Sequence, residues 1–86
     1  MALFIDIHEH LPEGTSVTDV AGAHQLDLGV QAEFGVRFRK YWVDEASGKA
    51  FCLSDAPNAE AVNAAHQKAH GLVADGVYQV VEGSSQ

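Results

Sequence analysis

Two histidines one helical turn apart are the residues of this sequence best placed to do metal chemistry. His66 and His70 occupy positions i and i+4 of a segment predicted to be helical, so their imidazoles share one face. His24 and Asp27 are three residues apart on an earlier predicted helix and share a face in the same way. Imidazole nitrogen combined with carboxylate oxygen suits nickel, zinc, copper or cobalt better than calcium or magnesium. These four residues are therefore candidate ligands of a divalent transition metal, although the pair on the second helix also fits an ordinary solvated surface.

The remaining histidines and the single cysteine allow several interpretations. His8 lies at the end of the first predicted strand and fits either a metal site or a packed interface, whereas His10 fits a solvated strand end. Asp6 fits an ion pair with Arg39 across the sheet. Cys52 is predicted to lie within a strand, where a buried structural thiol is commoner than a metal ligand, a redox thiol or a nucleophile. No nucleophile elbow and no phosphate-binding glycine motif is recognisable, so the sequence does not support catalysis.

The composition is typical of one small globular domain. The chain has 86 residues, of which 47% are hydrophobic and 20% charged, and its formal net charge is −7. This negative charge argues against nucleic acid or an anionic membrane surface as a partner and suits a metal cation better. The N-terminal segment MALFIDIHEH lacks the basic start of a signal peptide, and no apolar run reaches membrane-spanning length. We expect a single cytoplasmic domain over residues 1–86, with a frayed tail at 83–86.

The segment Val36–Pro57 predicts a β-hairpin at the centre of the chain. Apolar and polar residues alternate on either side of a short polar loop that contains a glycine. This alternation places Phe38 and Trp42 on the same face. A register with Val43 opposite Ala50 aligns the two strands.

Two helices and two further strands complete the prediction. Turn chemistry and capping residues separate a strand at Ala2–Glu9, a helix ending near Phe34, a helix from Asn58 to about His70 and a strand at Gly76–Glu82. Thr15, Ser16 and Thr18 are all acceptable N-caps of the first helix. We also predict its buried stripe, which consists of Val20, Ala23, Leu26, Val30 and Phe34. The order β-α-β-β-α-β predicts a ferredoxin-like α+β fold, with a four-stranded antiparallel sheet and both helices on one face.

This fold leaves one face of the sheet open. Strand alternation predicts that the open face carries a mixture of aromatic and polar residues, namely Phe4, Asp6, His8, Arg39, Tyr41 and Cys52. Such a face suits pairing with a second sheet, so we predict a homodimer formed through the open sheet face as a dimeric α/β-barrel. His8 would then lie on the opposite side of the sheet from the helix histidines, in a second site, unless the register differs by one residue.

The segment Gly48–Pro57, GKAFCLSDAP, resembles a family of small ferredoxin-like domains of unknown function that includes actinobacterial nickel-binding, nickel-responsive proteins. The similarity extends from FIDIH at the start to YQV near the end and covers nearly the whole chain. It implies a homodimer that binds nickel or a similar ion, as a buffer or a sensor. His8, His24 and His66 stand at positions that resemble those of the nickel-binding members.

The leading hypothesis is therefore a metal-binding protein. His24, His66 and His70 would supply ligands from the helices, with His8 and Asp27 as further donors. Binding should weaken as the pH falls through about 6.5, because a protonated imidazole cannot ligate a metal.

Two alternatives remain open from the sequence alone. The first is a dimeric α/β-barrel that binds or transforms a small organic molecule between its sheets, through Tyr41, Arg39, Cys52 and His8. The second is a small interaction module without a ligand.

Overall fold

The computed structural model describes residues 1–85, and within them the predicted order of strands and helices is confirmed. The elements are β1 (Ala2–His8), α1 (Val17–Val30), a 3₁₀ turn (Gln31–Phe34), β2 (Arg37–Asp44), β3 (Lys49–Ala56), α2 (Ala59–Ala69) and β4 (Gly76–Val80). All paired strands run antiparallel, in the spatial order β2-β3-β1-β4. This is the ferredoxin-like α+β fold. In this part of the chain no helix has the length and apolar character needed to cross a membrane.

Short-range hydrogen bonds define the helix ends. Ser16 is the N-cap of α1: its hydroxyl accepts from the Asp19 N–H, and the Asp19 carboxylate accepts from the Ser16 N–H at 2.9 Å, which is a capping box. Gly35 follows the 3₁₀ turn in the left-handed conformation, with φ of 68°. The Asn58 side chain caps α2 by accepting from the Ala61 N–H at 2.9 Å. These interactions are local, which is why the sequence predicts them.

A β-bulge in β2 determines which side its aromatic residues occupy. Val43 lies opposite Ala50 as predicted, but the register shifts at Arg39, between Phe38 and Lys40. The extra residue reverses the alternation of the strand. Phe38 therefore packs in the core beneath the helices, whereas Trp42 points to the open face, so the prediction that they share a face is wrong.

The side of β1 that was predicted to lie on the open face of the sheet faces the helices instead. Phe4, Asp6 and His8 are buried beneath the helices. Leu3 and Ile5, with Ile7, point to the open face instead. Both faces of β1 contain apolar residues, so the alternation alone does not say which set faces the helices. A shift of one residue then moves every side chain to the other side.

Two residues of the neighbouring strands β3 and β2 also lie on the opposite side of the sheet from the one predicted. Cys52 lies opposite Asp6 and Tyr41 lies opposite Cys52, so both residues also face the helices. The predicted mixed open face is therefore wrong: Asp6, His8 and Cys52 are buried beneath the helices, whereas Arg39 is exposed near Asp55.

The space between the sheet and the helices is divided into an apolar and a polar half. One half is a core cluster formed by Phe4, Val36, Phe38, Ala56, Val62 and Ala65. Leu26, predicted to be buried, is 53% exposed, and Asp27 beside it is only 3% exposed. The buried face of α1 thus turns a carboxylate towards α2 and the sheet. This carboxylate belongs to the polar half, where the candidate ligands lie.

Candidate metal centre

Three elements carry the polar half of the interior. Asp6 and His8 project from the same face of β1, because alternate residues of a strand point to the same side. Asp27 projects from α1 and His66 from α2, and neither side chain is more than 4% exposed. His70 lies one turn beyond His66 at the end of α2. We refer to these five residues, Asp6, His8, Asp27, His66 and His70, as the histidine–aspartate cluster.

His66 bridges the two buried carboxylates. Its Nδ1 lies 2.9 Å from Asp27 Oδ1, and its Nε2 lies 3.2 Å from both oxygens of Asp6. Because each ring nitrogen faces a hydrogen-bond acceptor, the arrangement favours a proton on both nitrogens. Burial lowers the pKa of His66, but the hydrogen bonds and charges of the two aspartates outweigh it and raise the pKa to about 9. His66 is therefore a cation at neutral pH.

Asp6 connects two histidines from different elements. Its Oδ1 lies 3.0 Å from Nε2 of His8 and also faces His66. Burial raises the pKa of Asp6, but hydrogen bonds from His66 and His8 outweigh burial, so the pKa of this carboxyl lies below its ordinary value. Asp6 is consequently a buried carboxylate. The predicted pairing of Asp6 with Arg39 is wrong, because Arg39 lies instead near Asp55.

His70 has one satisfied and one unsatisfied nitrogen. Its Nδ1 accepts a hydrogen bond from the backbone N–H of Leu72 at 3.1 Å, which places the proton of the neutral ring on Nε2. That Nε2 lies 3.0 Å from Asp27 Oδ1, but the two groups are not aligned as a hydrogen bond. Among residues 1–85 the buried Nε2 therefore has no hydrogen-bond partner. Burial lowers the pKa of His70, and the charge of Asp27 only partly opposes this effect.

Cys52 lies beside the cluster as a protonated thiol. It is buried on β3 directly opposite Asp6. Burial raises the pKa of Cys52, and the negative charges of Asp6 and Asp27 raise it further. Cys52 is thus a poor nucleophile as it stands, and only a strong electrophile such as a metal ion would make it a thiolate.

Two sets of side chains bring their ligand atoms within 4.8 Å of one another. One set is Asp6, His8, Cys52 and His66, and the other is Asp27, His66 and His70. Both sets share His66. Nitrogen, sulfur and carboxylate oxygen together form a donor set suited to nickel, zinc, copper or cobalt.

The structure brings together four of the five residues that the sequence predicts as ligands. His8, Asp27, His66 and His70 belong to the two sets, whereas His24 belongs to neither. The His24 ring instead packs against Tyr41, with the ring centroids 4.7 Å apart. His8 lies on the same side of the sheet as the helix histidines, which removes the need for a second site.

Two members of these sets, Asp6 and Cys52, were not among the predicted ligands, although a metal-ligand role for Cys52 was one of the alternatives to a buried structural thiol. The available signal was the Asp6-x-His8 spacing, which puts a carboxylate and an imidazole on one face of a strand. The predicted orientation of β1 pointed both residues away from the helices, so this spacing could not be combined with His66 and His70 into one site.

A cavity of about 400 Å³ opens above the cluster. It lies between α1, the loop at residues 11–15 and the sheet, and Asp27, His66 and His70 form part of its floor. His24 lines the same cavity. The cluster is therefore accessible from one side and buried on the other.

Comparison with known proteins gives two matches. A family model described as "Nickel responsive protein SCO4226-like" matches residues 4–80. The crystal structure of SCO4226 from Streptomyces coelicolor A3(2) superimposes with a TM-score of 0.89 and 38% sequence identity, covering 96% of this chain and 100% of that one. No curated protein sequence matches the chain.

Proposed function

We propose that this chain, which belongs to the SCO4226-like family of nickel-responsive proteins, binds nickel or a similar divalent transition metal. The observation that supports the proposal most directly is the convergence of imidazole, carboxylate and thiol groups within 4.8 Å in two sets that share His66. A cytoplasmic metal buffer or sensor is the role that we infer. Catalysis is not part of the proposal.

The charge of the cluster favours a divalent cation. Asp6 and Asp27 contribute two buried carboxylates, and only the imidazolium of His66 lies between them. A metal that replaces a proton of His66 would place two positive charges beside two negative ones in a buried setting, where such interactions are strong. The imidazole and thiol donors favour transition metals over magnesium or calcium.

The proposed ligands are those of the two sets. His66 would bind the ion together with Asp6, His8 and Cys52, or together with Asp27 and His70. His24 lies on the wall of the same cavity, and to become a ligand it would have to leave its contact with Tyr41.

Isothermal titration with nickel tests the proposal. The chelator-stripped wild type, without an affinity tag, is expected to bind nickel saturably with micromolar or tighter affinity at neutral pH. The double variant His66→Ala/His70→Ala is expected to lose this binding, because it removes imidazole donors from both sets. His70→Ala alone keeps the bonds of His66 to both aspartates and is expected to weaken binding by about tenfold or more if His70 is a ligand.

The control for this titration is His10→Ala, since His10 is exposed and lies outside both sets. Circular dichroism should show that each variant is folded before it is titrated. Equal binding by the wild type and the double variant would contradict the helix-histidine site, and absence of binding by the wild type would contradict the metal function.

We further propose that the protein is a homodimer formed through its open sheet face. This face is more apolar than predicted: it carries Leu3, Ile5, Ile7, Trp42, Phe51, Leu53, Tyr78 and Val80. Trp42 is 49% exposed and Tyr78 57% exposed in the single protomer. Charged residues also lie on this face, among them Lys40 opposite Leu53 and Asp55 opposite Leu3. A largely apolar sheet face of this kind usually marks an interface, and a domain this small gains stability from a partner.

Leu53→Arg is expected to convert the dimer into a monomer. Leu53 lies on β3 opposite Ile5, in a central strand of the open face, so a charge there would be buried in the interface. Sedimentation velocity should give twice the 9.2 kDa chain mass for the wild type and the single mass for the variant. The matched control is Leu26→Arg on α1, since Leu26 is exposed but lies away from the sheet. A monomeric wild type, or equal dissociation in both variants, would contradict the proposed interface.

A further inference from the structure

The cavity above the histidine–aspartate cluster is much larger than a metal ion requires. Its volume is about 400 Å³. A transition metal binds its ligands at distances of about 2 Å, so an ion at the floor would leave most of this space unfilled. Cavities that hold small organic molecules measure roughly 300–1,000 Å³. The volume therefore leaves room for a small organic molecule.

The walls of the cavity are mainly apolar. Leu11 and Pro12 line it from the loop after β1, Val20 and Ala23 from α1, and Leu72 from the segment after α2. These side chains would remove a hydrocarbon group from water, which is favourable in proportion to the area buried. The occupant should therefore have an apolar body.

The charged groups around the cavity are of one sign apart from the histidines. Glu13 and Asp19 lie at its rim and Asp27 at its floor. Among the described residues that line it, none is a lysine or an arginine. Such a cavity attracts cations and repels anions.

The buried Nε2 of His70 faces the cavity without an aligned acceptor. Asp27 Oδ1 lies 3.0 Å away, but among residues 1–85 no group is aligned to accept a hydrogen bond from this nitrogen. Because Nδ1 accepts from Leu72, Nε2 is the donor. Buried donors of this kind are normally paired with protein, water or ligand. An acceptor atom on a bound molecule, such as a hydroxyl oxygen, would pair with it.

We propose that this cavity binds a small amino alcohol with an apolar body. The ammonium group would approach Asp27, the hydroxyl group would accept from His70, and the apolar body would contact Val20 and Ala23. This binding uses Asp27 and His70, which also belong to one of the two proposed metal sets, so it is proposed for the metal-free cavity.

Four probes with the same phenyl ring separate the contributions of charge and hydroxyl. Phenylethanolamine carries both groups, α-methylbenzyl alcohol lacks the amine, mandelate carries a carboxylate in its place, and phenethylamine lacks the hydroxyl. The experiment is a titration of ¹⁵N-labelled protein followed by amide chemical shifts, in the presence of a chelator that removes metals. Saturable shifts are expected at the amides of α1 and of the segment after α2, which line the cavity.

The carboxylate of Asp27 and the imidazole of His70 determine the expected order of affinity among the four probes. Phenylethanolamine should bind at least about tenfold more tightly than α-methylbenzyl alcohol, because only the amine gains from the carboxylates. Phenethylamine should fall between them, and mandelate should not bind. The proposal is overturned if no probe binds saturably, or if mandelate binds as well as phenylethanolamine.

Two variants locate the binding. Ala23→Phe fills the cavity and is expected to abolish binding, whereas Gln25→Phe places the same ring on the exposed side of α1 and should leave binding unchanged. Asp27→Asn should reduce the affinity for phenylethanolamine to that of α-methylbenzyl alcohol. Wild-type binding by a folded Ala23→Phe would overturn the proposal. If Ala23→Phe does not fold, Val20→Phe serves the same purpose. Because no metal is present, the outcome is independent of the nickel titration.

Discussion

The affinity for nickel is expected to rise at least about tenfold per pH unit from about pH 6.5 to about pH 8.5, because nickel must displace a proton from His66, and ligation by Cys52 would release a second one. In the metal-free protein the two aspartates raise the pKa of His66 to about 9. A metal competes with that proton at every pH below this value. Surface histidines with an ordinary pKa would instead give an affinity that levels off above about pH 6.5.

Two measurements test this dependence. Titrations over the pH range should give a continuous rise in affinity, and titrations in buffers of different ionisation enthalpy should show that a proton is released on binding. His10→Ala, which alters only an exposed imidazole, should leave the slope unchanged. An affinity that is flat above about pH 7 would mean that nickel is bound without His66.

The fold was predictable because its signals are local. The capping box at Ser16, the left-handed Gly35 and the Asn58 cap each depend on residues only a few positions away. The order of strands and helices is compatible with few topologies, and the ferredoxin-like topology was correctly predicted from it. The bulge at Arg39 carries no such signal, and it is the reason that Trp42 was assigned to the wrong side.

The site was predictable only in part because its contacts are not local. His66 and His70 are recognisable from their helical spacing. The bond between His66 and Asp6 joins residues 60 positions apart, and this bond makes burial of the polar side of β1 favourable. Periodicity assumes that apolar residues face the core, so it could not anticipate that Asp6 and His8 would be buried with partners.

Metal-free protein is expected to lose stability as the pH rises from about 6.5 through about 9. The pKa of His66 is raised to about 9 in the folded state, from a value of 6.5 in the absence of its partners. The stabilisation by its charged form is therefore fully present below pH 6.5 and is lost as the pH passes through about 9. The difference in pKa corresponds to roughly 3 kcal/mol of unfolding free energy.

Other groups of the cluster limit stability on the acidic side. Folding lowers the pKa of Asp6 below its ordinary value of 3.8. The stabilisation by its ionised form is therefore present above pH 3.8 and is lost as the pH falls through the pKa of the folded state. The pKa of His70 is lowered from 6.5, so its protonation favours the unfolded state as the pH falls below that value. We therefore expect maximal stability of the metal-free protein near pH 6.5.

Urea unfolding in the presence of a chelator, at a series of pH values from about 6.5 to about 9, measures this effect. His66→Gln cannot titrate and is expected to show a much flatter dependence. It should also be less stable than the wild type at the lower pH by about 3–5 kcal/mol, because two buried carboxylates lose their cation. His10→Gln serves as the matched control, since its side chain is exposed and its stability should follow that of the wild type.

Nickel should reverse the dependence of stability on pH. Binding becomes tighter with rising pH as the proton on His66 is displaced more easily, so the stabilisation by nickel grows where the proton's contribution is lost. The proton and the metal would then be alternative cations for the same pair of buried carboxylates, Asp6 and Asp27. A wild-type stability that is flat between about pH 6.5 and about pH 9 without metal would contradict the charged state of His66 and, with it, this exchange.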